Sequence, residues 1–182
     1  MQIILLILRL LGFLIPEKKK FYIDDKWTIE LPNNWERIFS EIEVDNSIVS
    51  ENIFFSLNND LSMRVYSLNI LKDDNYKKIE ADISDILAVF ENIMSKVENK
   101  KEYKIPNHKS SKIKCYEYSY YENDKKIYAI ATGIFMKGYL LRINIVSTIK
   151  KEVEKSLYYL FSIKEVDPKE IEFLKKINSY KE

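Results

Sequence analysis

Residues 112 to 146 constrain the fold more than any other stretch of this 182-residue chain, because they hold three runs of strand-like alternation separated by turn-forming residues. Lys112 to Tyr121, Ile127 to Met136 and Tyr139 to Val146 are joined through Glu122, Asn123 and Asp124 and through Lys137 and Gly138. Connections this short link antiparallel neighbours, so the run predicts an antiparallel meander. In Ile127 to Met136 both alternate sets are largely apolar: Ile127, Ala129, Ala131 and Phe135 against Tyr128, Ile130, Ile134 and Met136. Such a strand is expected at the centre of the sheet, covered on both faces.

Four strands are expected before the meander. Trp27 to Leu31 alternates and stops at a turn of Pro32, Asn33 and Asn34, after which Trp35 is set to cap the core. Arg37 to Val44 follows, then a run marked by Ile53, Phe55 and Leu57. In Met63 to Leu71, Met63, Val65 and Ser67 face one way and Tyr66, Leu68 and Ile70 the other. Then the period changes. Tyr76, Ile79, Ile83, Ile86, Leu87, Phe90, Ile93, Met94 and Val97 recur at three- and four-residue spacings, one apolar stripe on a long helix that should cover a face of the sheet. Asp73 and Asp74 at its start and Lys100 and Lys101 past its end suit the helix dipole. After the meander, Ser147 or Thr148 is expected to cap a second helix that turns Ile149, Val153, Leu157, Leu160 and Phe161 inward. A short third helix should start after Pro168, with Ile171, Leu174 and Ile177 on one side.

The amino terminus reads differently. Ile3 to Ile15 is a thirteen-residue apolar segment broken only by Arg9 and Gly12, followed by Pro16 and by Lys18, Lys19 and Lys20. A bilayer core asks for about 20 apolar residues, so the segment is short for a span. A cleaved signal would carry positive charge before the apolar run and small residues after it, and this segment has neither. Three readings stay open: an uncleaved membrane anchor with the lysines on the cytoplasmic side, a helix buried in the protein's own dimer, or a core helix. The expected division is residues 1–17 as an apolar appendage and residues 18–182 as one domain, since Pro and Gly are sparse beyond Phe21 and no linker composition appears.

Charge excludes one class of partner. The 29 Lys and Arg against 28 Asp and Glu give a formal net charge of +1 with the signs interspersed, so no concentrated basic surface is available for nucleic acid. The 13 Tyr and 9 Phe against 3 Gly favour strands and a core of large side chains. The fold class read from all this is α+β: an antiparallel sheet of about six or seven strands sandwiched by helices, with an apolar N-terminal helix.

Trp27, Ile29, Leu31, Pro32 and Trp35, then Gly133 to Ile145, then Leu157 to Lys164, give the chain a pattern that resembles the PsbP-like superfamily over about residues 21 to 166. That group includes an extrinsic photosystem II subunit, a Ran-binding transport factor, bacterial lipoproteins and type VI effector chaperones. The resemblance implies an antiparallel sheet between helical layers and a docking or chaperone role. It carries no ligand residue onto this sequence. No cysteine follows the apolar segment as a lipoprotein would require, and no transit peptide suggests a chloroplast.

Few residues offer chemistry. His108, the lone histidine, lies in a polar connection, and the lone Cys115 lies within a strand-like run, where a small buried thiol is the plainer reading. The doublets Asp24–Asp25 and Asp73–Asp74 suit a turn and a helix start better than a metal or an acid–base pair. No phosphate-binding loop, dinucleotide fingerprint or zinc signature occurs, so no catalytic, cofactor or metal residue is assigned. Tyr116, Tyr118 and Tyr120 lie on one strand face, either as a recognition surface or packed beneath a helix. The expected function is a non-catalytic protein that binds another protein, docking through these tyrosines or through Ile171, Leu174 and Ile177. It is cytoplasmic or membrane-associated, with membrane contact through Ile3 to Ile15. Two alternatives stand beside it: a small hydrolase using Cys115 and His108, and a structural subunit that assembles through the N-terminal helix.

Overall fold

The computed structural model describes residues 17–44, 47–57, 60–69, 97–103, 112–170 and 172. The expected long helix to Val97, the apolar segment Ile3 to Ile15, His108, and Ile171, Leu174 and Ile177 lie outside the described residues, Val97 excepted. Ten strands are described: β1 (Lys18–Tyr22), β2 (Trp27–Pro32), β3 (Trp35–Val44), β4 (Ser47–Ser56), β5 (Leu61–Asn69), β6 (Glu98–Glu102), β7 (Lys112–Glu122), β8 (Lys125–Met136), β9 (Tyr139–Ser147) and β10 (Lys164–Glu165). One helix, α1 (Lys150–Leu160), sits between β9 and β10.

The strands form two antiparallel sheets. Seven lie in the order β3-β4-β5-β9-β8-β7-β6 and three in the order β1-β2-β10. The seven-stranded sheet matches the expected size, but the Trp27 strand belongs to the small sheet. Asn33 and Asn34 form the turn after it, and Trp35 then opens β3. Strands β1, β6 and β10 carry no apolar alternation, which is why the sequence pattern passes over them; β6 reads ENKKE and is exposed throughout.

The meander forms as its turns require. Asn123 and Asp124 (φ 49° and 62°) and Lys137 and Gly138 (φ 46° and 80°) all take positive φ, the geometry of two-residue hairpin turns that match strand twist. Every residue of β8 from Ala129 to Met136 is buried. Ile130, Ile134 and Met136 join the core shared with the small sheet and α1, while Ala129, Ala131 and Phe135 join a second cluster with Tyr118 and Leu140. The strand is therefore apolar on both sides, as expected, although β9 rather than β8 holds the middle place.

The small sheet and α1 together cover one face of the large sheet. Phe21, Ile23, Trp27, Ile29 and Leu31 pack with Phe54, Met63, Val65, Leu141, Ile143 and Ile145 and with Val153 and Leu160 of the helix. Polar ties fix the two layers. Asp24 accepts the backbone N–H groups of Lys26 (2.7 Å) and Trp27 (2.8 Å), closing the β1–β2 turn, and also accepts the Ser67 hydroxyl from β5. Asn52 donates to the Ile23 carbonyl at 2.6 Å. This is the turn role expected of Asp24, extended across the core.

Three local expectations need correction. In β4 the buried positions are Asn52, Phe54 and Ser56, whereas Leu57 is 59% exposed, because the pairing of β4 with β5 sets the opposite phase. The helix N-cap is Ile149 in an extended conformation without a side-chain cap; Ser147 instead accepts the Ile149 N–H at 3.0 Å, bridging strand to helix. The inward stripe is Val153, Ser156 and Leu160, with Leu157 partly buried against the core beside it. Ile149 precedes the helix and Phe161 lies one residue past it, about 100° round from the stripe, so both are exposed.

Candidate docking surface

The tyrosines singled out from the sequence share one face of β7 but not one environment. Tyr118 is 1% exposed and packs against Ala129, Ala131, Phe135 and Leu140, while Tyr116 and Tyr120 are half-buried at the margin of that cluster. The Tyr118 and Tyr120 rings stack with centroids 6.1 Å apart. Burial pushes the Tyr118 hydroxyl well above the ordinary tyrosine range. Only Tyr116 and Tyr120 therefore keep surface to offer.

Cys115 is 1% exposed and receives a hydrogen bond from the Thr132 hydroxyl at 3.2 Å. Burial, the dominant cause, pushes the thiol up to about 11, so it stays protonated at neutral pH. A nucleophilic cysteine needs the reverse: access, and a neighbour that stabilises the thiolate.

A second region gathers exposed groups that the sequence pattern did not single out as a site. Residues of β1 and β3 line an open groove of about 470 Å³: Lys19, Lys20, Phe21, Tyr22, Glu36 and Arg37. The Arg37 guanidinium donates to the Tyr22 carbonyl and lies 5.3 Å from the Phe39 ring centre. Partial burial lowers the Arg37 pKa. The Tyr22 hydroxyl donates to Glu170, and that bond, followed by burial, pushes its pKa up to about 12. Glu170 also holds Lys20 at 2.6 Å, and these two hydrogen bonds lower its own pKa.

Next to the groove the chain enters the fold. The Glu17 carbonyl accepts the Asn33 N–H at 2.9 Å, and Lys18 begins β1 with its ammonium 6.0 Å from the Tyr158 ring centre. Tyr158 is 72% exposed and meets the exposed Phe161 edge to face at 6.1 Å. Phe161 keeps helical backbone angles and lies about 100° round from the stripe of Val153, Ser156 and Leu160, which leaves it exposed.

Among the described residues no cluster of three or more His, Cys, Asp or Glu side chains could hold a metal ion. Nor is any described helix long and apolar enough to cross a membrane.

No family model matches the chain, and no curated protein matches it. Solved structures do. The chain is similar to cyanobacterial PsbP (CyanoP) from Synechocystis sp. PCC 6803, with 15% identity and a TM-score of 0.57 over 85% of this chain and 96% of that one. LpqN, involved in cell envelope biogenesis of Mycobacterium tuberculosis, aligns at 9% identity and a TM-score of 0.47 over 83% of this chain and 91% of that one. Antiparallel sheets of seven and three strands with this coverage of cyanobacterial PsbP make the fold of this chain PsbP-like.

Proposed function

We propose that this chain is a non-catalytic docking protein, held at a membrane by its apolar N-terminal segment and binding another protein through its folded domain. The observation that carries the reading is where the chain enters the fold. Glu17 and Lys18 lead in beside the exposed Tyr158–Phe161 pair, and Ile3 to Ile15 come shortly before them in the sequence. Aliphatic residues that leave water, lysines that meet anionic headgroups and exposed aromatic rings beside them are the ingredients of a lipid–water boundary. With Lys18, Lys19 and Lys20 flanking the segment, the positive-inside rule puts the domain on the cytoplasmic side.

Docking in preference to catalysis is supported by the buried, protonated thiol of Cys115. The partner-binding groups in this reading are Tyr116 and Tyr120, with Tyr118 beneath them, and Ile171, Leu174 and Ile177 near the C-terminus.

Fractionation of cells that express the full chain tests the proposal. The protein is expected in the membrane pellet, released by detergent and retained in high salt. Replacing Tyr158 and Phe161 together by Asp is expected to weaken binding of the full chain to anionic lipid vesicles. Full-length protein that stays in the supernatant overturns the membrane part. A hydrolytic turnover abolished by Cys115→Ser in a folded protein overturns the non-catalytic part.

A further inference from the structure

We infer that the outer edge of β3 pairs with the same edge of a second copy of this chain, joining two seven-stranded sheets into one across a two-fold axis at Phe39. An edge strand presents unpaired backbone groups, and natural sheets blunt such edges with charge, shortness or bulges. Three of the four edges here are blunted. β1 begins with three exposed lysines, and β10 is two residues long. β6 has five exposed polar residues, a register shift between Glu98 and Lys101, and Asn99 at φ 54°. β3 is neither short nor bulged, and its exposed charges, Glu36, Arg37 and Glu41, are of both signs, so two copies can pair them. It runs ten residues in unbroken register with β4, no described strand pairs with its other side, and it exposes Ile38 (56%) and Phe39 (45%).

The backbone fixes which residues can take part. The Asn34 carbonyl accepts the Leu57 N–H at 2.9 Å, one step before the Trp35↔Ser56 pair. Hydrogen-bonded pairs alternate along an antiparallel ladder. Glu36, Ile38 and Ser40 therefore direct their backbone groups to β4, while Trp35, Arg37, Phe39 and Glu41 direct theirs to the open edge.

Charge and apolar contact together select the register. An axis at Phe39 opposes the two Phe39 residues and sets each Arg37 against Glu41 of the second copy, an ion pair made twice. Moving the axis to Arg37 opposes two guanidinium groups, and moving it to Glu41 opposes two carboxylates. An axis at Ile38 makes no ion pair, and one at Ser40 pairs Arg37 with Glu43 but sets each Phe39 against Glu41, whereas the axis at Phe39 opposes the two exposed rings as well as pairing the charges. Arg37 can serve both contacts, because a guanidinium carries five N–H donors and the Tyr22 carbonyl occupies only part of them.

Cysteine substitution in the full chain reads the register directly. Residues opposed in a hydrogen-bonded antiparallel pair have Cα atoms about 5.5 Å apart, within the roughly 4.4–6.8 Å that a disulfide spans. Phe39→Cys is expected to give a covalent dimer on mild oxidation in detergent solution, and Ile38→Cys, on the opposite face, to form no covalent dimer. The native Cys115 is buried and does not compete. Glu41→Arg is expected to weaken the dimer by about tenfold or more, and adding Arg37→Glu to restore it. Cross-linking of both cysteine variants or of neither, or a Glu41→Arg protein that dimerises like its parent, overturns the inference. No lipid is needed, so failure of the membrane reading leaves this result unchanged.

Discussion

Trp35 sits where the chain passes from the small sheet to the large one. Its indole is 2% exposed and meets Tyr159 of α1 edge to face at 5.7 Å, so one ring joins the start of β3 to the helix. Truncation there leaves a cavity that the surrounding strands cannot collapse to fill. Trp35→Ala is expected to destabilise the domain by about 3–5 kcal/mol, read from denaturant melts. Cys115 predicts a pH effect. Burial raises its pKa from 9.0 to about 11, so the folded state holds the proton longer than the unfolded chain does. Stability from this source is complete below pH ~9 and is lost as pH rises towards ~11, a loss on the order of 2 kcal/mol. Cys115→Ala is expected to flatten the alkaline slope between those limits, measured by unfolding at pH 7, 9 and 10.5; an unchanged slope counts against it.

Among the elements, the β8–β9 hairpin is the most exacting. Lys137 and Gly138 both take positive φ, and Gly138 at 80° has no Cβ to strain. Gly138→Ala is expected to cost about 1–2 kcal/mol without changing the register Met136↔Tyr139, measured by melting and by the amide pattern in NMR. Helix α1 shows the opposite economy. It closes without a side-chain cap at Ile149, and its attachment comes from Val153, Ser156 and Leu160 pressed on the core. Outside that stripe, Lys150 reaches Glu117 of β7 at 3.1 Å, a surface pair that aids placement more than stability.

For the whole molecule, the core that joins the two sheets and α1 is built from residues between Phe21 and Ile163. Removing residues 1–17 is accordingly expected to leave a domain that melts cooperatively, measured by circular dichroism. A truncated protein that loses its transition would place the apolar segment within the core.

The sequence by itself determined the meander, the apolar character of both faces of β8, the grouping of Met63, Val65 and Ser67 on one face of β5 and the turn role of Asp24, because each is written in the local alternation or turn chemistry of a few adjacent residues. It also pointed to burial of Cys115, because a free thiol behaves as a small apolar side chain within a strand. Only the tertiary structure decided what depends on pairing partners far along the chain. The Trp27 strand went to a second sheet because β10, more than 130 residues later, pairs with it, Lys164 to Thr28. The polar strands β1 and β6 formed because neighbours supplied their hydrogen bonds, a signal absent from hydrophobic periodicity. Tyr118 became core while Tyr116 and Tyr120 stayed at its margin, although all three share one strand face, because burial along a strand depends on what lies over it. Ile38 and Phe39 became exposed for the complementary reason: alternation tells which way a side chain points, and strand order alone tells that β3 is an edge.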